Sequence, residues 1–294
     1  MLSGRDRDMG TAIYCLAKGH SSFFGYRMLV RRNWSLRRVR KLNPDAQVTF
    51  IIFHEGNIGL FHRALISFFS ALRIRWVDIS EDFQPFSNQD LPADTAILGY
   101  SLMCRFQYLQ IWKYLTEFDV AVRVDDDCKI NSIPLQLAEG QVFQTGFLIV
   151  DGHEPTNTSL PKILGPSRIQ YWDDLVPYTN VLMTKVSFWM RPDVTAFLKE
   201  VGEHDFAVRD RWGDAPVMGL VLRMFADWDA ESGVDKLIDY YHDSHRARVS
   251  GGELSWIPKK KKGRLRLRLW FDRTLGGRLQ QIKLRASRRL GQLR

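Results

Sequence analysis

The feature that most limits the fold is an alternation, through the first 124 residues, of short apolar runs with longer stretches whose apolar residues recur at helical intervals. Ala12–Leu16, Val48–Phe53, Ile74–Ile79 and Asp119–Val124 read as strands. The second is almost wholly β-branched or aromatic, as suits a strand covered on both faces. Between them, Tyr26–Leu42 and Asn57–Leu72 have helical spacing, the latter with Leu60, Phe61, Ala64, Leu65, Phe68 and Leu72 largely on one side. Strand and helix in strict alternation predict a parallel sheet with crossovers, hence an α/β fold. In such sheets ligands bind beyond the carboxyl ends of the strands.

Further along, a loop is expected over Glu81–Asp94, a helix over Ser101–Phe118 and a strand over Val142–Val150. Helices are expected near Pro192–Val201, Ala215–Phe225 and Glu231–Tyr241. No internal repeat is present.

A hydrophobic content of 45% and a charged content of 26% leave ample material for a core. No uninterrupted apolar run reaches the roughly 18 residues of a spanning helix, and the first ten residues lack the apolar stretch of a secretory signal. Three cysteines without CxxC spacing point to reduced thiols and a cytosolic setting. The net charge of +9 comes from one end: residues 259–294 hold fourteen Lys or Arg and a single acid. The preceding 258 residues hold 28 basic and 32 acidic groups. A body without basic excess argues against nucleic acid as partner. Two domains are therefore expected, an α/β body over 1–250 and a basic amphipathic tail over 251–294. The tail has the composition of a segment that lies on an anionic membrane surface at its inner, cytosolic face, with a solvated tail as the alternative.

At the end of the strand ending in Val124 stand Asp125, Asp126 and Asp127. Three adjacent carboxylates repel one another, and a hard cation such as Mn²⁺ or Mg²⁺ offsets that cost. In extended geometry Asp125 and Asp127 share a side while Asp126 points away. This is the DxD arrangement of nucleotide-sugar transferases of GT-A fold; the alternative is a solvated acidic turn. Asp214, before Ala215-Pro216, reads as a helix N-cap, a sugar contact, or both. Trp212 is expected to be partly buried, and His242 and His245 to stand at a helix end. Asp173 and Asp174 read as an acidic turn, and no phosphate-loop, dinucleotide or nucleophile-elbow motif occurs.

Several segments together resemble the fungal α-1,2-mannosyltransferase family, Golgi enzymes that use GDP-mannose and Mn²⁺. Tyr100-Ser-Leu-Met-Cys-Arg-Phe106 is similar to that family's Y-x-x-M-C-R-F, Arg123-Val-Asp-Asp-Asp127 to R-V-E-P-[ND], and Tyr240-Tyr-His-Asp243 to its late H-D segment. Arg211-Trp-Gly-Asp-Ala-Pro-Val217 matches the family's R-W-G-D-A-P-V throughout, and the order holds from about Thr11 to Asp243. The resemblance implies a GT-A-like fold with a mixed central sheet. It implies a cation held by Asp125, Asp127 and His242, and Tyr100 and Asp214 beside the reacting sugar. Arg105, Arg123, Asp126 and Glu154 are then expected to face the donor. Where the family carries N-F-E, with a Glu near the reacting carbon, this chain has Asn180-Val-Leu182, and leucine forms no glycosyl-enzyme bond. The expected activity is a retaining transfer of a sugar, mannose by the resemblance, from a nucleotide-diphosphate sugar (GDP-mannose) to a glycan or lipid-linked acceptor. The alternative is a non-catalytic nucleotide-sugar or glycan-binding scaffold with a membrane-binding tail. A nucleotidyltransferase would share the fold, but Lys18-Gly19-His20-Ser21 is a poor version of its Gly-rich loop.

Overall fold

The computed structural model describes residues 10–70, 72–85, 95–230 and 232–257 of the 294. In chain order the strands are β1 (Thr11–Leu16), β2 (Val48–His54), β3 (Ile74–Asp78), β4 (Val120–Val124), β5 (Cys128–Ser132), β6 (Phe143–Thr145), β7 (Leu148–Val150), β8 (Leu175–Pro177), β9 (Val181–Lys185), β10 (Asp239–His242), β11 (Ala247–Ser250) and β12 (Glu253–Trp256). The helices are α1 (Arg27–Leu42), α2 (Leu60–Ser70), α3 (Thr95–Arg105), α4 (Glu154–Arg168), α5 (Val186–Trp189), α6 (Pro192–Glu203), α7 (Asp205–Arg209) and α8 (Asp214–Phe225).

The main sheet has six strands in the order β3-β2-β1-β4-β9-β6. β1 to β4 run parallel, as the alternation predicted, and β9 and β6 each pair antiparallel to their neighbours, so the sheet is mixed. Successive residues of β1 enter opposite cores: Ala12 and Tyr14 pack with one cluster, Ile13 with another. That is why the strand sequences are apolar without alternation. The chain steps outward from β1 to β3, then crosses back to place β4 on the other side of β1. The reversal opens a crevice at the carboxyl ends of β1 and β4. A four-stranded sheet, β12-β11-β10-β5, begins directly after the acidic triplet.

Four expectations need correction. Val142–Val150 is two strands in two sheets: a Cβ on Gly146 would come within 2.8 Å of Ile238, so the chain turns where that close approach is needed. The expected helix over Glu231–Tyr241 is absent; β10 occupies its end, with Tyr240 and His242 buried in strand alternation. Ser101–Phe118 is not one helix but the end of α3, a π-turn at Phe106–Gln110 and a 3₁₀ turn at Ile111–Tyr114. β12 pairs with β11, so the folded body runs beyond the boundary expected at 250. α4 was not foreseen. Pro155 in its first turn suits a helix start, while Gly165 at φ 67° marks a kink.

No helix among the described residues is long and apolar enough to cross a membrane. The three cysteines are buried and unpaired. The expected tail, 259–294, lies outside the described residues, as do positions 86–94 of the expected loop.

The packing is anchored by Trp112 and Trp189, stacked with centroids 4.7 Å apart and planes 3° apart. Trp189 Nε1 donates to Thr184 Oγ1 at 2.7 Å, tying α5 to β9. Both indoles are fully buried. Trp112→Ala should lower the unfolding free energy by about 3–5 kcal/mol, read as a fall in the urea midpoint.

Candidate active site

β4 ends at Val124, and the three aspartates form a turn rather than an extended strand, closed by the Cys128 amide donating to the Asp125 carbonyl at 3.0 Å. The expected same-side display of Asp125 and Asp127 therefore does not arise from strand geometry. Instead each carboxylate has its own partners. Asp125 accepts from Arg123 Nε at 2.7 Å and from Asn180 Nδ2 at 2.9 Å. Asp127 lies 3.2 Å from His242 Nε2 and accepts the Ser244 amide at 3.2 Å. Asp126 feels the charge of Arg32, a buried α1 residue that also donates to the Val124 carbonyl at 2.8 Å.

These environments set the protons. Burial raises the Asp126 carboxyl to about 7, helped by Asp127 and Asp125. Burial also acts against the Asp127 charge, but bonds from His242 and Ser244 outweigh it and hold the group down at about 2. Burial pushes the Cys128 thiol well up, as do the three adjacent carboxylates.

Strand pairing brings in the imidazole. In the β5–β10 ladder His242 is directly opposite Cys128. His242 thus stands at a strand end, not at the helix end expected from sequence. Tyr178 Oη lies 2.8 Å from Nδ1 of both His242 and His245. A phenol has one proton, so it donates to one ring and accepts from the other; with both rings neutral, the two imidazoles hold opposite tautomers. Burial and the neighbouring His242 lower the His245 pKa.

Across the crevice, Arg123 is the hub. Its guanidinium donates to Asp125 on one side and to Asp214 on the other. Burial disfavours its charge, but the two carboxylates raise its pKa well above the ordinary value. Asp214 is the first residue of α8, and Gly213 takes the N-cap position, so the expected side-chain cap is not made. Trp212 is fully rather than partly buried, its Nε1 donating to Ser159 Oγ at 2.7 Å.

Between these elements lies a cleft of about 350 Å³, lined among others by Tyr100, Arg123, Asp125, Asp214, His242 and His245. The volume falls in the range of about 300–1,000 Å³ usual for small-molecule sites. The structure thus gathers five of the expected residues. Four others do not line this cleft; of these Asp127 stands next to it, 3.2 Å from the lining residue His242. Arg105 is buried and donates to the Gln84 carbonyl. Tyr100 and Met103 share a helix face and line the cleft, whereas five residues turn Arg105 about 140° from Tyr100. Glu154 is exposed in the first turn of α4, accepting from Thr158 Oγ1 at 2.8 Å. Asp126, which feels the charge of Arg32, is not among the lining residues either. Sequence reasoning missed Tyr178, Asp151 and His153, left His245 aside, and gave Arg211 no role. Arg211 has a φ of 54°, unusual for a residue with a Cβ, and its guanidinium lies 5.1 Å from the centre of the Tyr100 ring.

Asp127, Cys128 and His242 bring potential ligand atoms within 4.8 Å of one another. Cys128, held as a neutral thiol, is not the donor a hard cation selects. Asp127 and His242, at 3.2 Å, have the spacing of adjacent ligands on one small cation and fit Mn²⁺ or Mg²⁺.

No protein-family model matches this chain. No curated protein matches its sequence. Solved structures do match. Core-mannan synthase A (CmsA/Ktr4) from Aspergillus fumigatus, in an Mn/GDP form, aligns with a TM-score of 0.64 at 14% identity, covering 89% of this chain and 82% of that one. The mannosyltransferase Ktr4p from S. cerevisiae, in complex with GDP, aligns with a TM-score of 0.62 at 14% identity, covering 82% of this chain and 73% of that one. The fold is GT-A-like. Leu182 pairs with Arg123 across β4 and β9 and is fully buried.

Removing the hub would leave two carboxylates without their shared counter-charge. Arg123→Ala should cost about 3–5 kcal/mol of stability, measured by urea unfolding at neutral pH.

Proposed function

We propose that this chain is a cation-dependent glycosyltransferase that moves a sugar, mannose from GDP-mannose, to the hydroxyl of a glycan or lipid-linked acceptor. The observation that carries the reading is the Asp127–His242 pair set beside Asp125 at the carboxyl end of β4, with His242 and Asp125 lining the same cleft. The GT-A-like fold and the R-W-G-D-A-P-V segment at the cleft wall support it.

In this reading Asp127 and His242 hold Mn²⁺ or Mg²⁺, with Asp125 beside them. A cation held there would supply Lewis-acid stabilisation to a departing diphosphate. Tyr178 fixes the ring of His242 through Nδ1, as partners of ligating imidazoles do. Arg211 takes the phosphate-facing place expected for Arg105, since it lines the cleft and Arg105 does not. The amino end of α8, at Gly213 and Asp214, presents amides to an anion or a sugar hydroxyl. Tyr100, at the cleft wall, stands beside the donor sugar, where its phenol supports a developing oxocarbenium ion. Leu182 offers no nucleophile, so a retaining transfer uses front-side return or another carboxylate rather than double displacement at that position. The free thiols support a cytosolic setting, and the basic 259–294 segment supports attachment at the inner membrane face.

A second reading, a nucleotide-sugar-binding scaffold, draws its support from Leu182. Turnover separates the two. GDP-mannose should be consumed in the presence of Mn²⁺, and Asp127→Asn or His242→Ala should each cut the rate more than about 100-fold while weakening Mn²⁺ binding in calorimetry. Binding of GDP-mannose without turnover of any nucleotide sugar would establish the scaffold. Tyr178→Phe should weaken Mn²⁺ binding by about 10–100-fold, measured by the same calorimetry.

A further inference from the structure

Helix α2 turns its apolar side outward. Its sequence, LFHRALISFFS, holds all but Leu72 of the residues that the helical spacing assigned to one side, yet it buries only Ile66 and Ser70. Leu60, Phe61 and Phe68 are 78%, 69% and 75% exposed. Phe61, Ala64 and Phe68 follow one another at helical intervals and are all exposed, so they form a continuous outward stripe. Large apolar patches of this kind mark contact surfaces.

The neighbouring helix supplies charge. α1 carries seven Arg or Lys and no acid among its sixteen residues. Arg27, Arg31, Trp34, Arg38 and Lys41 share its exposed face at helical spacing, with Trp34 57% exposed. The Trp34 indole donates to the Phe69 carbonyl at the end of α2, so this ring stands where the basic and apolar stripes meet. Arg37 lies over the same indole at 5.9 Å, and Phe68 packs edge-on against Phe69 at 5.3 Å.

We propose that the α1–α2 face docks on an anionic lipid bilayer. Leu60, Phe61 and Phe68 enter below the headgroups, Trp34 sits at the interface, and the α1 cations meet the lipid phosphates. Other occupants fit less well. A second copy in a two-fold arrangement would set one cationic α1 against another. The chain's own 259–294 segment carries fourteen basic residues and would be repelled by α1 in the same way. A nucleic acid would match the charge and leave the apolar stripe in water. The face also adjoins the proposed active site: Arg31 lies 3.6 Å from Asp243, the residue after His242. The inference does not depend on glycosyl transfer.

All three native cysteines are buried, so a single introduced cysteine can be labelled selectively in the full chain. Phe68→Cys and Phe61→Cys, each carrying an environment-sensitive fluorophore, report on α2; Lys199→Cys, on the exposed side of α6, is the control. The probes are vesicles of phosphatidylcholine alone and of phosphatidylcholine with phosphatidylserine. The expected result is a blue shift at 68 and 61 with the anionic vesicles only, reversed by high salt and absent at 199. Adding Arg27→Gln and Arg38→Gln should weaken the shift at least tenfold in lipid concentration. Sedimentation with vesicles while the labels at 61 and 68 stay unchanged would overturn the proposal in favour of the basic tail. A label already blue-shifted without lipid would overturn it too: dependence on protein concentration would then assign the face to a second copy, and independence to the chain's own segments.

Discussion

The site depends on one buried guanidinium. Arg123 joins the end of β4 to the start of α8 by donating to Asp125 and to Asp214, two carboxylates far apart in sequence. A buried ion group of this kind adds little net stability over an apolar filling, but loss of one member is expensive. Its effect is therefore on position: it fixes the acidic turn relative to the amino end of α8. The same logic repeats at Asp127, held against His242. The repulsion that a row of three aspartates implies is thus met differently at each, by Arg123 at Asp125, by His242 at Asp127 and by a carboxyl raised to about 7 at Asp126.

Much of the architecture was legible because it rests on periodicity. The parallel run β1–β4 could be read from apolar segments covered on both faces. The short antiparallel strands could not. Around β10 the apolar residues Val234, Leu237, Ile238 and Tyr241 happen to follow a helical interval, and only the buried alternation of Tyr240 and His242 reveals a four-residue strand. The helical spacing of α2 was correctly seen, but the direction of its apolar side was not, since periodicity gives a face without saying what covers it.

The site was legible in part for a similar reason. Asp125, Asp127 and His242 carry their chemistry in their identity, and the resemblance joined them across a long gap. Arg105 illustrates the limit. It belongs to the same short motif as Tyr100, yet on a helix their side chains leave in different directions. Tyr178, which bridges two imidazoles, carried no local signal; its role exists only because strand pairing and the β10–β11 turn converge on its hydroxyl.

The ladder that sets His242 opposite Cys128 also governs when the acidic turn is completed. During synthesis Asp127 leaves the ribosome long before the hairpin that holds its imidazole, and the intervening segments must fold around an unfinished pocket. The carboxylate–imidazole pair is thereby completed only once β10 has joined β5. A nascent or truncated polypeptide that has already built the parallel strands lacks the imidazole beside Asp127 until that hairpin arrives.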